Sequence, residues 1–208
     1  MLRNLVTCLV VLSVVMLNAA VTSAAYTPVT DLGIPYNRAY SAAYDFNSKG
    51  EVAVQGTTDK SYIGAYVWYN GTYTDLGNLG YDYAYPRGID EDGTVVGLAR
   101  TSSSTSSGLA FKWTPTGNMV PLGTLGGTQS RADFINNGDI VGSSQTTGSS
   151  IYTAFVIYSG SSTMTPIGTL YTGKDCYAYK INDSRHVIGM LSRGALKPAT
   201  SGRVKTSQ

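Results

Sequence analysis

Cysteine and histidine are nearly missing from this chain of 208 residues, which has two of the first and one of the second. A zinc centre needs several such ligands, so that chemistry is closed off. A disulfide framework is excluded as well, since Cys8 and Cys176 are the whole supply. Charge is also scarce: Asp, Glu, Lys and Arg make up 13% of residues, about half the usual share, which is unlike a coiled coil. The low charge does not mean disorder, because 42% apolar and 11% aromatic residues can build a core. The net charge of +2 is too small to point to nucleic acid. No apolar run reaches the roughly 20 residues of a spanning helix, and no helical period is sustained beyond residue 25.

The longest apolar run is Leu5 to Leu17, broken only by Thr7 and Ser13. Arg3 precedes it, and small residues follow through Ala25. That layout predicts a secretory signal peptide over residues 1–24, cleaved after Ala24 or Ala25, and a secreted, cell-surface or periplasmic protein with no membrane span after cleavage. The alternative is an uncleaved anchor. Cleavage would leave Cys176 as the one thiol, expected to be buried as a small hydrophobe. Charge is uneven in the rest. Residues 25–183 carry a net of −4, whereas residues 184–208 hold five basic side chains and no acid. Residues 192–208 are expected to be a basic tail or a degenerate last strand.

What the chain has in abundance is repetition. Asp31-Leu32-Gly33 returns as Asp75-Leu76-Gly77, Pro121-Leu122-Gly123 and Pro166-Ile167-Gly168, at steps of 44, 46 and 45 residues. In the same phase, Ala43, Pro86, Ala132 and Ala178 each precede Phe46, Ile89, Ile135 and Ile181 by three. Asn or Asp follows at once, then a turn carrying Gly50, Gly93 or Gly138, with Arg185 in the fourth copy. Val95-Val96, Ile140-Val141 and Val187-Ile188 come next, each closed by a glycine, while the first copy reads Val52-Ala53-Val54. A third element is Ala65-Tyr66-Val67-Trp68, Ala110-Phe111-Lys112-Trp113 and Ala154-Phe155-Val156-Ile157.

Each unit of about 45 residues therefore predicts four short strands separated by Asn, Gly and Ser turns. One such unit cannot bury both faces, so units must stack. The expected class is all-β: a propeller-like repeat of four-stranded antiparallel blades over residues 25–191. Four blades are expected. The last would be incomplete, or completed by a degenerate strand near 195–204 and by an N-terminal strand at 26–33. A truncated piece of a longer array is the alternative, and an open ring would invite oligomerisation. Trp68 and Trp113 are expected to be packing anchors.

These motifs resemble the extracellular repeat proteins of the HAF family, named for a His-Ala-Phe run. Ala110-Phe111 and Ala154-Phe155 match its Ala-Phe part, with Leu109 and Thr153 where the histidine would stand. "TDLGNLG" at 74–80 and "PLGTLGG" at 121–127 match its Leu-Gly element. The resemblance spans nearly all of residues 26–190. It implies a secreted, propeller-like protein and no particular reaction.

Candidate chemistry is sparse. His186 occupies an ordinary strand position, so a Ser-His-acid triad has no natural centre. Asp90-Glu91-Asp92 is the one acidic cluster; it could offer oxygens to Ca²⁺, but reads better as a solvated turn. No phosphate loop is present. Asn70-Gly71-Thr72 and Asn182-Asp183-Ser184 fit the glycosylation pattern. The tyrosines are the most suggestive feature: Tyr81, Tyr83 and Tyr85 alternate, as do Tyr177 and Tyr179, which puts each set on one strand face. Tyr81, Tyr83 and Asp92 are the expected ligand contacts, with an extracellular protein or polysaccharide as partner and no cofactor. The reading is a secreted, non-enzymatic binding or structural protein. The alternative is a secreted hydrolase or lyase acting on polysaccharide through carboxylates on separate blades.

Overall fold

The computed structural model describes residues 30–37, 40–60, 62–101, 108–168 and 173–192. The expected leader, residues 26–29 of the expected closing strand, and the tail from residue 193 lie outside them. The chain divides into two compact units, Met1–Asp31 and Leu32–Gln208. Only Thr30 and Asp31 of the first are described, and every strand belongs to the second.

The protein is all-β; among the described residues there is no α-helix, and so no helix long and apolar enough to cross a membrane. Three antiparallel meanders of four strands are followed by a two-stranded hairpin. Sheet 1 holds β1 (Ser41–Phe46), β2 (Val52–Thr57), β3 (Ile63–Tyr69) and β4 (Thr72–Asp75). Sheet 2 holds β5 (Tyr83–Ile89), β6 (Val95–Arg100), β7 (Gly108–Trp113) and β8 (Val120–Gly123). Sheet 3 holds β9 (Gly126–Asn136), β10 (Asp139–Thr146), β11 (Tyr152–Ile157) and β12 (Thr165–Pro166). Sheet 4 is the hairpin β13 (Cys176–Ile181) and β14 (Val187–Leu191).

Successive sheets lie face to face, and the recurring β-branched pairs explain why. Side chains alternate across a strand, so two adjacent apolar residues serve two faces. Val95 enters the core between sheets 1 and 2, beside Ala53, Val67, Phe111 and Trp113. Its neighbour Val96 enters the next core, with Ala132, Ile135 and Phe155. Ile140 and Val141 divide in the same way, Val141 meeting Cys176, Ala178 and Ile181 of sheet 4. Each fully buried Val or Ile contributes about 1.5–3 kcal/mol. Trp113 is buried as expected; Trp68 is only half-buried. Cys176 is a free, buried thiol, and burial pushes its pKa up.

Every first strand carries the same irregularity. Register shifts between Ala43 and Asp45, between Pro86 and Gly88, between Ala132 and Phe134, and between Ala178 and Lys180. One residue is thus bulged out in each sheet: Tyr44, Arg87, Asp133 and Tyr179. The bulge tolerates Pro86 inside a strand, since no ladder bond is demanded there. In sheets 2, 3 and 4 a glycine stands opposite Pro86, Ala132 or Ala178, close against the neighbouring strand. A Cβ on Gly142 would overlap the Arg131 carbonyl oxygen and lie 2.9 Å from the Ala132 Cα; Gly97 and Gly189 face the Tyr85 and Tyr177 carbonyls in the same way.

A spine of polar bonds links the β1–β2-type turns from sheet to sheet. Asn47 Nδ2 donates to the Asp90 carbonyl at 3.0 Å, and the Ser48 N–H donates to Glu91 at 3.1 Å. The Asp90 carboxylate accepts the N–H groups of Asn137 and Gly138, at 3.1 and 2.6 Å. Asn136 and Asn137 donate through Nδ2 to Asp183, at 2.8 and 3.0 Å. Asp90 is therefore buried and corrects the expectation of a wholly solvated acidic turn. Glu91, exposed, is held below the ordinary carboxylate range by the Ser48 hydroxyl and N–H. In the fourth turn Arg185 takes the left-handed conformation that glycine holds elsewhere, with φ 60°. Its guanidinium pairs with Asp139 at 2.8 Å and lies 4.7 Å over the Tyr158 ring, which offsets a strain of about 1–2 kcal/mol.

The four sheets do not close into a ring among the described residues. Residues 30–33 form no strand. The Gly33 carbonyl instead accepts bonds from Ser41 Oγ and the Tyr73 hydroxyl, at 3.0 and 3.1 Å, both on sheet 1. A short 3-10 turn, Pro35–Asn37, follows. Pro35 lies over Gly56, and Tyr36 meets the Tyr66 ring edge-on at 6.3 Å.

Candidate binding cleft

The bulges re-aim side chains on the first strand of each sheet. On β5, β9 and β13 the residue before the small one is Tyr85, Arg131 or Tyr177. Arg131 and Tyr177, with Arg100 from the end of β6 and Tyr152 from the start of β11, line a cleft of about 380 Å³. It lies between sheets 2 and 3 and reaches sheet 4.

Arginine and tyrosine fix each other there. The Arg100 guanidinium lies 4.8 Å over the Tyr85 ring and donates through Nη2 to the Tyr85 hydroxyl at 3.1 Å. Arg131 lies 4.9 Å over Tyr177 and pairs through Nε with Asp133 at 2.9 Å. Tyr177 in turn meets Tyr152 at 5.6 Å and stacks on Tyr179 at 6.5 Å. The Tyr152 hydroxyl donates to Gln129 Oε1. Burial raises the hydroxyl pKa of Tyr152 and of Tyr177, so both remain neutral donors at ordinary pH. Burial also raises the Asp133 carboxyl, against the opposing pull of Arg131 and Arg87. Arg100 Nε is buried without a partner.

The arrangement suits an oxygen-rich anion. A guanidinium held over a tyrosine ring is restrained, and its donor fork matches a carboxylate or sulfate with little ordering cost. The tyrosines add stacking area with polar tips. A second cleft, of about 610 Å³ between sheets 1 and 2, has the opposite character. Asp59, Asp75 and Asp82 line it with Lys60. Two of its acceptors serve local turns: Asp75 takes the Gly77 N–H, and Asn78 takes the Gly80 N–H.

The residues expected from the sequence are dispersed. Tyr81 is half-buried against the first core. Tyr83 meets Tyr62 edge-on at 5.6 Å and stacks on Tyr85 at 6.3 Å. Asp92 is exposed in the β5–β6 turn, where its Oδ1 accepts the Thr94 N–H at 2.8 Å. Six strand steps separate Tyr83 from the end of β5, about 20 Å, so Tyr83 and Asp92 cannot grip one small ligand. Tyr83 alone adjoins the cleft, through Tyr85. His186 is exposed, and its N–H donates to Asn182 Oδ1 at 2.8 Å. Arg100, Arg131 and Tyr152 do not stand out in the sequence. The one available signal is Tyr177-x-Tyr179 in the phase of Arg131-x-Asp133, which sets aromatic against charge on neighbouring strands. No protein-family model matches the chain, and comparison with curated proteins gives no significant relative.

Proposed function

We propose that this is a secreted, non-enzymatic binding protein of propeller-like construction, with its sheets as blades. Its cleft between sheets 2 and 3 takes an acidic polysaccharide. The observation that carries the reading is the pair of guanidiniums held over tyrosine rings, Arg100 and Arg131, on the cleft wall. Uronate or sulfate groups would meet the two forks, and sugar rings would lie against Tyr152 and Tyr177. Support for the blade reading comes from the shared strand order, the shared bulge and the three equivalent cores. The resemblance to HAF repeats and the leader-like first 24 residues agree with an extracellular setting.

Calorimetric titration with acidic and neutral oligosaccharides of equal length tests the function. Acidic chains should bind and neutral ones should not. Arg100→Gln should weaken binding roughly 10-fold or more, the worth of one charge-assisted bond, with added salt weakening it further. Equal binding of both classes, or full affinity in the variant, would overturn the proposal.

A further inference from the structure

The repeat supplies a rule for how one sheet meets the next, and the two ends of the stack leave that rule unfulfilled. Ile89, Ile135 and Ile181 close their first strands and are buried between sheets. Their cognate in sheet 1 is Phe46, and it is 73% exposed. Val96 and Val141 face the following sheet and are both 0% exposed. Their cognate in sheet 4 is Ile188, and it is 53% exposed. Met190, two residues on and on the same strand face, is 45% exposed. Each end thus shows, beside its turn, part of an interface that the molecule already makes three times; farther along the outer face of sheet 1, Val54 and Tyr66 are buried where Pro35 and Tyr36 pack.

Half-buried Val52 and Trp68 share the face of Phe46 at the turn end of sheet 1, and Tyr179 is exposed with its hydroxyl 3.7 Å from Met190 Sδ. Isolated exposed hydrophobics mean little, but contiguous patches mark contact surfaces. β14 is also a bare edge among the described residues, since only β13 pairs with it.

We infer that sheet 4 of one molecule docks on sheet 1 of a second copy, head to tail, through Ile188 and Met190 on one side and Phe46, Val52 and Trp68 on the other. The occupant is a second copy because each surface is the repeat-equivalent of the other's internal partner. Such a contact is heterologous: it grows into a closed ring or an open filament according to the rotation per copy. Docking of this kind does not depend on a ligand in the cleft.

Sedimentation of the processed full-length protein over a range of concentrations tests it. Mass should rise above that of one chain as concentration increases. Phe46→Lys and Ile188→Lys each spoil one end, so either variant alone should remain a single chain. Mixed in equal amounts they should form a pair and stop there, because one intact head meets one intact tail. Melting temperatures should stay near that of the parent protein, as both side chains are exposed. A single chain at every concentration, or continued association of either variant alone, would overturn the inference. So would a marked fall in the melting temperature of a single-chain variant, which would mean that residues outside the described set cover these ends within one molecule.

Discussion

Gly142→Ala is the sharpest probe of the packing between strands. The added methyl would fall on the Arg131 carbonyl oxygen, with the Ala132 Cα 2.9 Å away. These are backbone atoms within a bulge, so no side chain can swing aside. Overpacking of a well-filled interior costs typically 1–3 kcal/mol, and a clash with backbone belongs at the upper end, about 3 kcal/mol. For a domain of this length that lowers Tm by roughly 6–12 °C. Gly148→Ala is the control. Its φ is 67°, and nothing lies within 4 Å of the new atom, so only left-handed strain remains, about 1 kcal/mol. Urea and thermal melts of both variants, followed by circular dichroism, provide the comparison. Equal losses would refute the close-approach argument and leave backbone freedom as the only role of the glycine. Sheet 1 sharpens the question, because Val54 stands at the cognate position in the same register opposite Ala43.

Asp90→Ala should cost about 2–3 kcal/mol, since the turn N–H groups of Asn137 and Gly138 lose a charged acceptor; a urea midpoint equal to that of the parent would show the spine to be dispensable. Asp133 gives a pH dependence. Its folded pKa is raised by burial, so the native state holds its proton more tightly than the unfolded chain does. Its contribution to stability is therefore present below the ordinary carboxylate pKa and is lost as pH rises through the raised value. Asp133→Asn should melt above the parent at neutral pH, with the gap closing in acid; a variant less stable at neutral pH would show that Arg131 outweighs burial.

The strand order, turns and sheet faces were legible because each depends on residues close in sequence. Val95-Val96 and Ile140-Val141 announced strands buried on both sides, and an Asn or Asp shortly followed by glycine (Asp90 to Gly93, Asn136 to Gly138) announced their turns. The bulges were not legible. Nothing at Ala132-Asp133 distinguishes an extra residue from regular alternation; Tyr83 and Tyr85, which precede the bulge at Arg87, keep the alternation and stack on one face. Asp90 misled for a related reason: its acceptor role depends on Asn137 and Gly138, 47 and 48 residues away. Composition around Asp90-Glu91-Asp92 could not show that neighbour. Arg100 and Arg131 were equally hidden, because the tyrosines that hold them lie on other strands.

The turn-to-turn spine has a bearing on the order of the sheets along the chain. Asn47, Asp90, Asn136 and Asp183 bond across successive junctions from one position of the repeat, but with a different donor and acceptor at each: an amide on a backbone carbonyl, backbone N–H groups on a carboxylate, and amides on a carboxylate. Each junction is therefore matched to its own two neighbours, and exchanging the order of two sheets would leave donors facing donors or acceptors facing acceptors.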